Sequence, residues 1–136
     1  MNQQQMQQEE QQQMENKQPK LKTVNIKGKE YVEVNERIKA FRQMYPTGSI
    51  ITEIISHQDG VVVIKATAII DNQIRATGHA YEKEGSSFIN KTSYIENAET
   101  SAIGRCLGCM NIGLDTSVAS AEEVANAIKQ QGQDPF

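Results

Sequence analysis

The sequence predicts a single α+β domain: a β-hairpin, a helix, then a three-stranded antiparallel sheet and a closing helix (a β-β-β-α core), with the helices packed on one face of the sheet. Three observations predict it. Two short alternating segments flank Lys27-Gly28 near the start of the chain. Two longer ones flank Asp71-Asn72-Gln73 in the middle. Between residues 93 and 115, small side chains recur at three- and four-residue spacing, the period of one helix face.

In chain order, residues 1–19 are a leader of Gln, Glu, Asn and Met that cannot bury apolar surface, and disorder or at most transient helix is expected there. Residues 20–129 form the domain. Alternation over residues 21–26 and 29–34 reads as a hairpin. Asn35 is placed to cap a helix running to about Tyr45, with Ile38, Phe41 and Tyr45 on one face, Arg37 and Arg42 flanking it, and Pro46 stopping it. Residues 49–56, rich in Ile, read as a strand whose register stays open, because either phase turns Thr52 or Glu53 inward. Asp59-Gly60 suits a hairpin turn into the strand of residues 61–70.

Pairing Ile70 with Ile74 across a three-residue loop places Val62, Ile64, Ala66, Ala68, Ile70, Ala76, Gly78 and Ala80 on one face. Lys65, Thr67, Arg75, Thr77, His79 and Tyr81 take the other. The small residues of the first face match those of the next helix, which implies close helix-on-sheet packing. Ser93 and Glu96 have the spacing of a capping box. Ile95, Ala98, Ala102, Cys106, Cys109 and Met110 share a face, and Asn111 and Gly113 suit the helix end. Gly104 and Gly108 cost such a helix about 1 kcal/mol each relative to Ala, so close backbone approach is expected. Ser120 with Glu123 starts a last helix, and residues 130–136 are a flexible acidic tail.

The net charge of −3 is unevenly spread. Both ends are acidic, whereas residues 17–105 hold 13 basic and 10 acidic side chains. That asymmetry is compatible with a polyanionic partner. No apolar run is long enough to span a membrane, the leader is unlike a signal peptide, and a reducing, cytoplasmic setting is expected. Cys106 and Cys109 lie near a helix C-terminus on its buried-looking face, which fits structural thiols better than a redox or zinc pair. Glu96 and Glu99 complement the helix dipole. With no nucleophile–base pair in view, neither enzymatic activity nor a cofactor or metal is expected.

The order of elements over residues 23–115 resembles the single-strand annealing proteins of phage Erf and Sak type and the eukaryotic ring-forming annealing protein. The likeness rests on Ile26-Lys27-Gly28 leading into a helix with a Tyr45-Pro46 exit, on the long hairpin of residues 61–81, and on Glu99-Thr100-Ser101-Ala102-Ile103-Gly104-Arg105-Cys106-Leu107-Gly108. That family's helix carries further bases around the residue matching Arg105, where this chain has Gly104 and Gly108. The resemblance implies a phage-type protein of a bacterial host cell. It would bind and anneal single-stranded DNA in recombination or replication, as a homo-oligomeric ring or filament, without nucleotide hydrolysis. The alternative is an accessory protein that uses the same fold to bind a small ligand or a host protein.

Binding a strand requires cations for phosphates and planar groups for bases. The candidates are Lys29, Arg37, Arg42, Lys65, Arg75, His79, Tyr81, Lys91 and Arg105. The terminal Asp134-Pro135-Phe136 resembles the tip of bacterial single-stranded DNA-binding proteins, where a terminal Phe enters a partner's pocket, and implies a replication or recombination partner.

Overall fold

A computed structural model of the chain describes residues 2–17, 19–114 and 117–135, with backbone alone for 11–17. In order it contains α1 (Gln3–Lys17), β1 (Thr23–Ile26), β2 (Lys29–Val32), α2 (Val34–Met44), β3 (Ser49–Gln58), β4 (Val61–Ile70), β5 (Gln73–Lys83), a 3₁₀ turn (Ile89–Lys91), α3 (Tyr94–Cys109) and α4 (Ala121–Gln130). β1 and β2 form a separate two-stranded hairpin, and β3-β4-β5 is an antiparallel sheet in that order. The α+β architecture is as predicted. In the leader, Gln3–Lys17 are helical. Gln and Glu are good helix formers, and residues 2–10 are all exposed, so α1 there has no packed face.

All three hairpin turns have two residues at positive φ: Lys27 and Gly28 (51°, 86°), Asp59 and Gly60 (54°, 73°), Asp71 and Asn72 (52°, 62°). Such turns match the natural twist of the strands they join. The last one corrects the expected three-residue loop. Ile70 pairs with Gln73 and Ile69 with Ile74, after which Arg75 is an extra residue and Ala68 pairs with Ala76. The bulge repairs the register, so the faces sort as alternation predicts from Ala76 onward. β3 also settles. Thr52 pairs with Ala66 on the covered side and donates to Glu99 Oε2 at 2.8 Å, while Glu53 pairs with Lys65 on the open side.

α3 lies across the covered face, burying Ala98, Ala102 and Cys106 with Val62, Ile64, Ala66 and Ala68 in one apolar cluster. The approach is closest at Gly78, where a Cβ would fall 2.7 Å from the Ala102 carbonyl oxygen and collide with the Cys106 backbone. Gly104 and Gly108 lie against other elements. A Cβ there would meet Val34 Cγ2 at 2.7 Å and Arg37 Nη1 at 2.9 Å respectively. Their helix cost is thus offset by packing against α2. Cys106 is buried and its thiol is pushed up to about 11, chiefly by desolvation. Cys109 is exposed, correcting its expected burial, because it lies one turn past the last residue the sheet covers.

The helix starts also differ from the capping expectations. Ser93 precedes α3 but its side chain makes no cap bond. α2 begins one residue before Asn35, and its first amide, Val34 N–H, donates to both Glu122 carboxylate oxygens at 3.1 Å. A carboxylate from α4 therefore complements the positive end of α2 across the fold. Ser120 does cap α4, accepting from Glu123 N–H at 3.3 Å.

Candidate nucleic-acid interface

The uncovered face of the sheet gathers four of the predicted binding residues. Strand alternation and the β4–β5 register set Lys65 beside His79 and Val63 beside Tyr81. Thr67 and Thr77 form the next pair, and the exposed Arg75 is the residue that bulges from β5. Tyr81 is 69% exposed, as is Ile74. Glu53, across from Lys65, is the acid that this face receives from β3. The result is a surface with cations and two planar rings, unobstructed by any described helix.

The other predicted residues lie elsewhere. Lys29 is on the separate hairpin. Lys91 is in the 3₁₀ turn, its ammonium 6.0 Å from the Phe88 ring centroid. Arg42 donates to the Gly48 carbonyl at 2.6 Å and lies over the Phe41 ring. Arg105 pairs with Glu123 Oε2 at 3.3 Å, beyond the edge of β5. Asp134 is exposed and Pro135 buried; Phe136, the tip's third residue, lies outside the described residues.

Arg37 requires a correction. Its side chain is fully buried. Nη1 donates to the carbonyls of Gly104 (2.7 Å) and Val118 (2.8 Å), and Nη2 to those of Ser117 (2.6 Å) and Gly113 (3.3 Å). Burial holds its pKa below the ordinary value, offset by the nearby Glu123 and Glu122. It ties α2 to the end of α3 and the following loop, and no phosphate reaches it. Sequence reading put Arg37 beside the apolar stripe. Counting Val34 puts it within the stripe, since Val34, Arg37, Ile38 and Phe41 follow i, i+3, i+4, i+7.

A second polar assembly escaped the sequence reading. Asn126 Nδ2 donates to Asn97 Oδ1 at 2.9 Å, and Asn97 Nδ2 to Asn90 Oδ1 at 2.9 Å. Asn90 Nδ2 then donates to Glu82 Oε2 at 2.7 Å, which also accepts from Gln130 at 3.0 Å. This buried chain joins β5, α3 and α4, and borders a cleft of about 440 Å³. Its signal in the sequence was a four-residue polar repeat in α3 (Asn97, Ser101, Arg105). Periodicity alone reads such a repeat as solvent-facing.

Residues 38–110, more than half of the chain, match the family described as Slr1353 N-terminal dsRNA-binding domain-like. The chain belongs to that family. The match opens within α2 and closes just past α3, so the Slr1353 N-terminal domain-like segment is the helix–three strands–helix unit whose sheet face has just been described. No curated protein and no solved structure matches the chain. The family's description supports nucleic-acid binding in the broad sense. It overturns the resemblance to Erf and Sak-type annealing proteins, and the annealing activity that resemblance implied loses its basis. Element order had carried that likeness, and the bases expected beside Arg105 are glycines pressed against Val34 and Arg37. No helix among the described residues is long and apolar enough to cross a membrane.

Glu122 and Glu123, at the start of α4, give the region a pH dependence. Burial raises both above the ordinary 4.5; the Val34 amide counters this at Glu122, and Arg105 at Glu123. A carboxyl with a raised folded-state pKa binds more protons folded than unfolded, so it removes stability as pH rises from about 4.5 through its raised value. Replacing both by Gln is expected to flatten the fall in melting temperature over that range. An unchanged slope in the double variant would show that these two groups do not set it.

Proposed function

We propose that the chain binds single-stranded segments of nucleic acid across the uncovered face of the β3-β4-β5 sheet. Lys65 and Arg75 take phosphates there, and His79 and Tyr81 stack on bases. One observation carries the reading: the register places Lys65 opposite His79 and Val63 opposite Tyr81 on a face that no described helix covers. The family's description supports a nucleic-acid partner. The surface supports a single strand. Unstacked bases offer a π-face to exposed rings, whereas a duplex hides its bases and presents closely spaced phosphates. The helical side, where α2 and the start of α3 are exposed, sets Glu36, Glu96 and Glu99 among its cations.

The printed description of the family favours a second reading, duplex RNA, contacted by shape and phosphate. Fluorescence anisotropy with oligo-dT, oligo-U and an RNA duplex of equal length separates the two. Single strands are expected to bind, with log affinity falling linearly against log salt. Tyr81→Ala should cost about 1–3 kcal/mol, and Lys65→Ala and Arg75→Ala should each make the salt slope shallower. Preference for the duplex, with no loss in Tyr81→Ala, selects the second reading. Indifference to every oligonucleotide at low salt ends both.

A further inference from the structure

The loop that leaves β5 is fixed in place by its own hydrogen bonds. Lys83, the last residue of β5, pairs with Val61, and alternation sets it on the uncovered face two residues beyond Tyr81. Residues 84–92 then lead to α3. Glu84 N–H donates to the Gly60 carbonyl at 2.7 Å, so the loop departs from the end of the sheet that carries the β3–β4 turn. It is wound about one side chain. Asn90 is fully buried, its Nδ2 donates to Ser86 Oγ at 2.8 Å and to Glu82 Oε2 at 2.7 Å, and its Oδ1 accepts from Asn97. Gly85 N–H donates to the Asn90 carbonyl at 2.9 Å, and Lys91 N–H to that of Phe88 at 3.3 Å.

This scaffold holds Phe88 outward, 87% exposed, whereas Phe41 is fully buried. One exposed apolar side chain needs no explanation by itself. Phe88 differs in its company. The Lys91 ammonium lies 6.0 Å from its ring centroid, so a ring and a cation are again neighbours, as His79 and Lys65 are on the sheet. Lys83 adds a second exposed cation at the strand end. Glu84, the acid of this loop, is turned toward the β3–β4 turn, where a Cβ on Gly60 would lie 3.7 Å from its Oε2. The surface beyond β5 therefore repeats the chemistry of the uncovered face and continues it along the chain. A ring already fixed in place loses little conformational freedom when a partner stacks on it.

We propose that Phe88 and Lys91 are a further contact for single-stranded nucleic acid: Phe88 stacks on a base and Lys91 takes a phosphate, where the strand leaves the sheet past Tyr81 and Lys83. The inference rests on the sheet-face reading and adds a path to it. The strand follows β5 toward its C-terminal end and off the sheet onto the loop. Base–aromatic stacking tolerates any sequence, so this contact lengthens the footprint without selecting a base.

The test uses the full chain with oligo-dT, read by fluorescence anisotropy. Phe88→Ala is expected to weaken binding about fivefold or more. Its melting temperature should match the parent's, since so exposed a side chain supports little of the fold. Lys91→Ala should make the slope of log affinity against log salt shallower by about 0.7, the share of one phosphate on a single strand. The chain has no tryptophan, so Phe88→Trp reports on this position alone, and its emission should be quenched as oligo-dT saturates. Unchanged affinity in Phe88→Ala, or unchanged emission in Phe88→Trp at saturation, overturns the loop contact. If Tyr81→Ala still weakens binding in that case, the sheet-face reading stands. Loss in Phe88→Ala with none in Tyr81→Ala keeps the loop contact and ends the sheet-face reading. If oligo-dT does not bind even at low salt, both fail together.

Discussion

Gly78→Ala is expected to lose about 3 kcal/mol or more of stability, a large share of the roughly 5–15 kcal/mol that keeps a domain folded. The added methyl would fall 2.7 Å from the Ala102 carbonyl and onto the Cys106 backbone. Neither obstacle is a flexible side-chain tip. α3 would have to lift from the sheet, and lifting it opens the contacts of Ala98, Ala102 and Cys106 together. An ordinary overpacked core relaxes by rotating a side chain, which is impossible here. Urea unfolding monitored by circular dichroism checks this, with Gly85→Ala (φ +79°, no neighbour within 4 Å) showing what backbone strain costs in the absence of a clash. A midpoint for Gly78→Ala within error of the parent would mean that the helix sits further from the sheet than described.

Arg37→Met is expected to cost about 3–5 kcal/mol. Methionine keeps much of the apolar stem but leaves the carbonyls of Gly104, Gly113, Ser117 and Val118 without their donors. Orphaned buried acceptors cost roughly 1–3 kcal/mol each, less where water can enter. Arg37→Lys should recover only part of the loss, because one ammonium cannot reproduce a planar fork that serves four acceptors. The readout distinguishing this from a binding role is hydrogen exchange. Protection should fall at the end of α3 and in residues 117–120 before it falls in the sheet. Full stability in Arg37→Met, with reduced oligonucleotide binding, would return Arg37 to the interface.

The strands and their faces were legible because alternation is local: Val62, Ile64, Ala66 and Ala68 announce one side and Lys65 and Thr67 the other. The match of small residues between Ala98, Ala102 and the Ala/Gly positions of the sheet was legible for the same reason. Arg37 was misread because its partners lie 67 to 81 residues away, and no local pattern reports them. The cap on α2 was missed likewise, since its carboxylate comes from Glu122. The third hairpin misled through one residue. Asp71-Asn72 adopts the left-handed turn that Asn and Asp tolerate without glycine, and the bulge at Arg75 absorbs the difference. The cleft was invisible because the polar stripes on α3 and α4 become an interior only when those helices meet at the edge of β5.

The Glu122 cap and the Arg37 clamp bear on how much of this chain makes a unit that stands alone. Four of their donors and acceptors come from Ser117, Val118, Gly113 and Glu122, all downstream of residue 110, where the family match stops. Excising residues 38–110 would remove Val34 and Arg37, the first turn of α2, together with the downstream groups that hold them. On a ribosome, α2 would wait for residues 113–122 to emerge before it could dock for good.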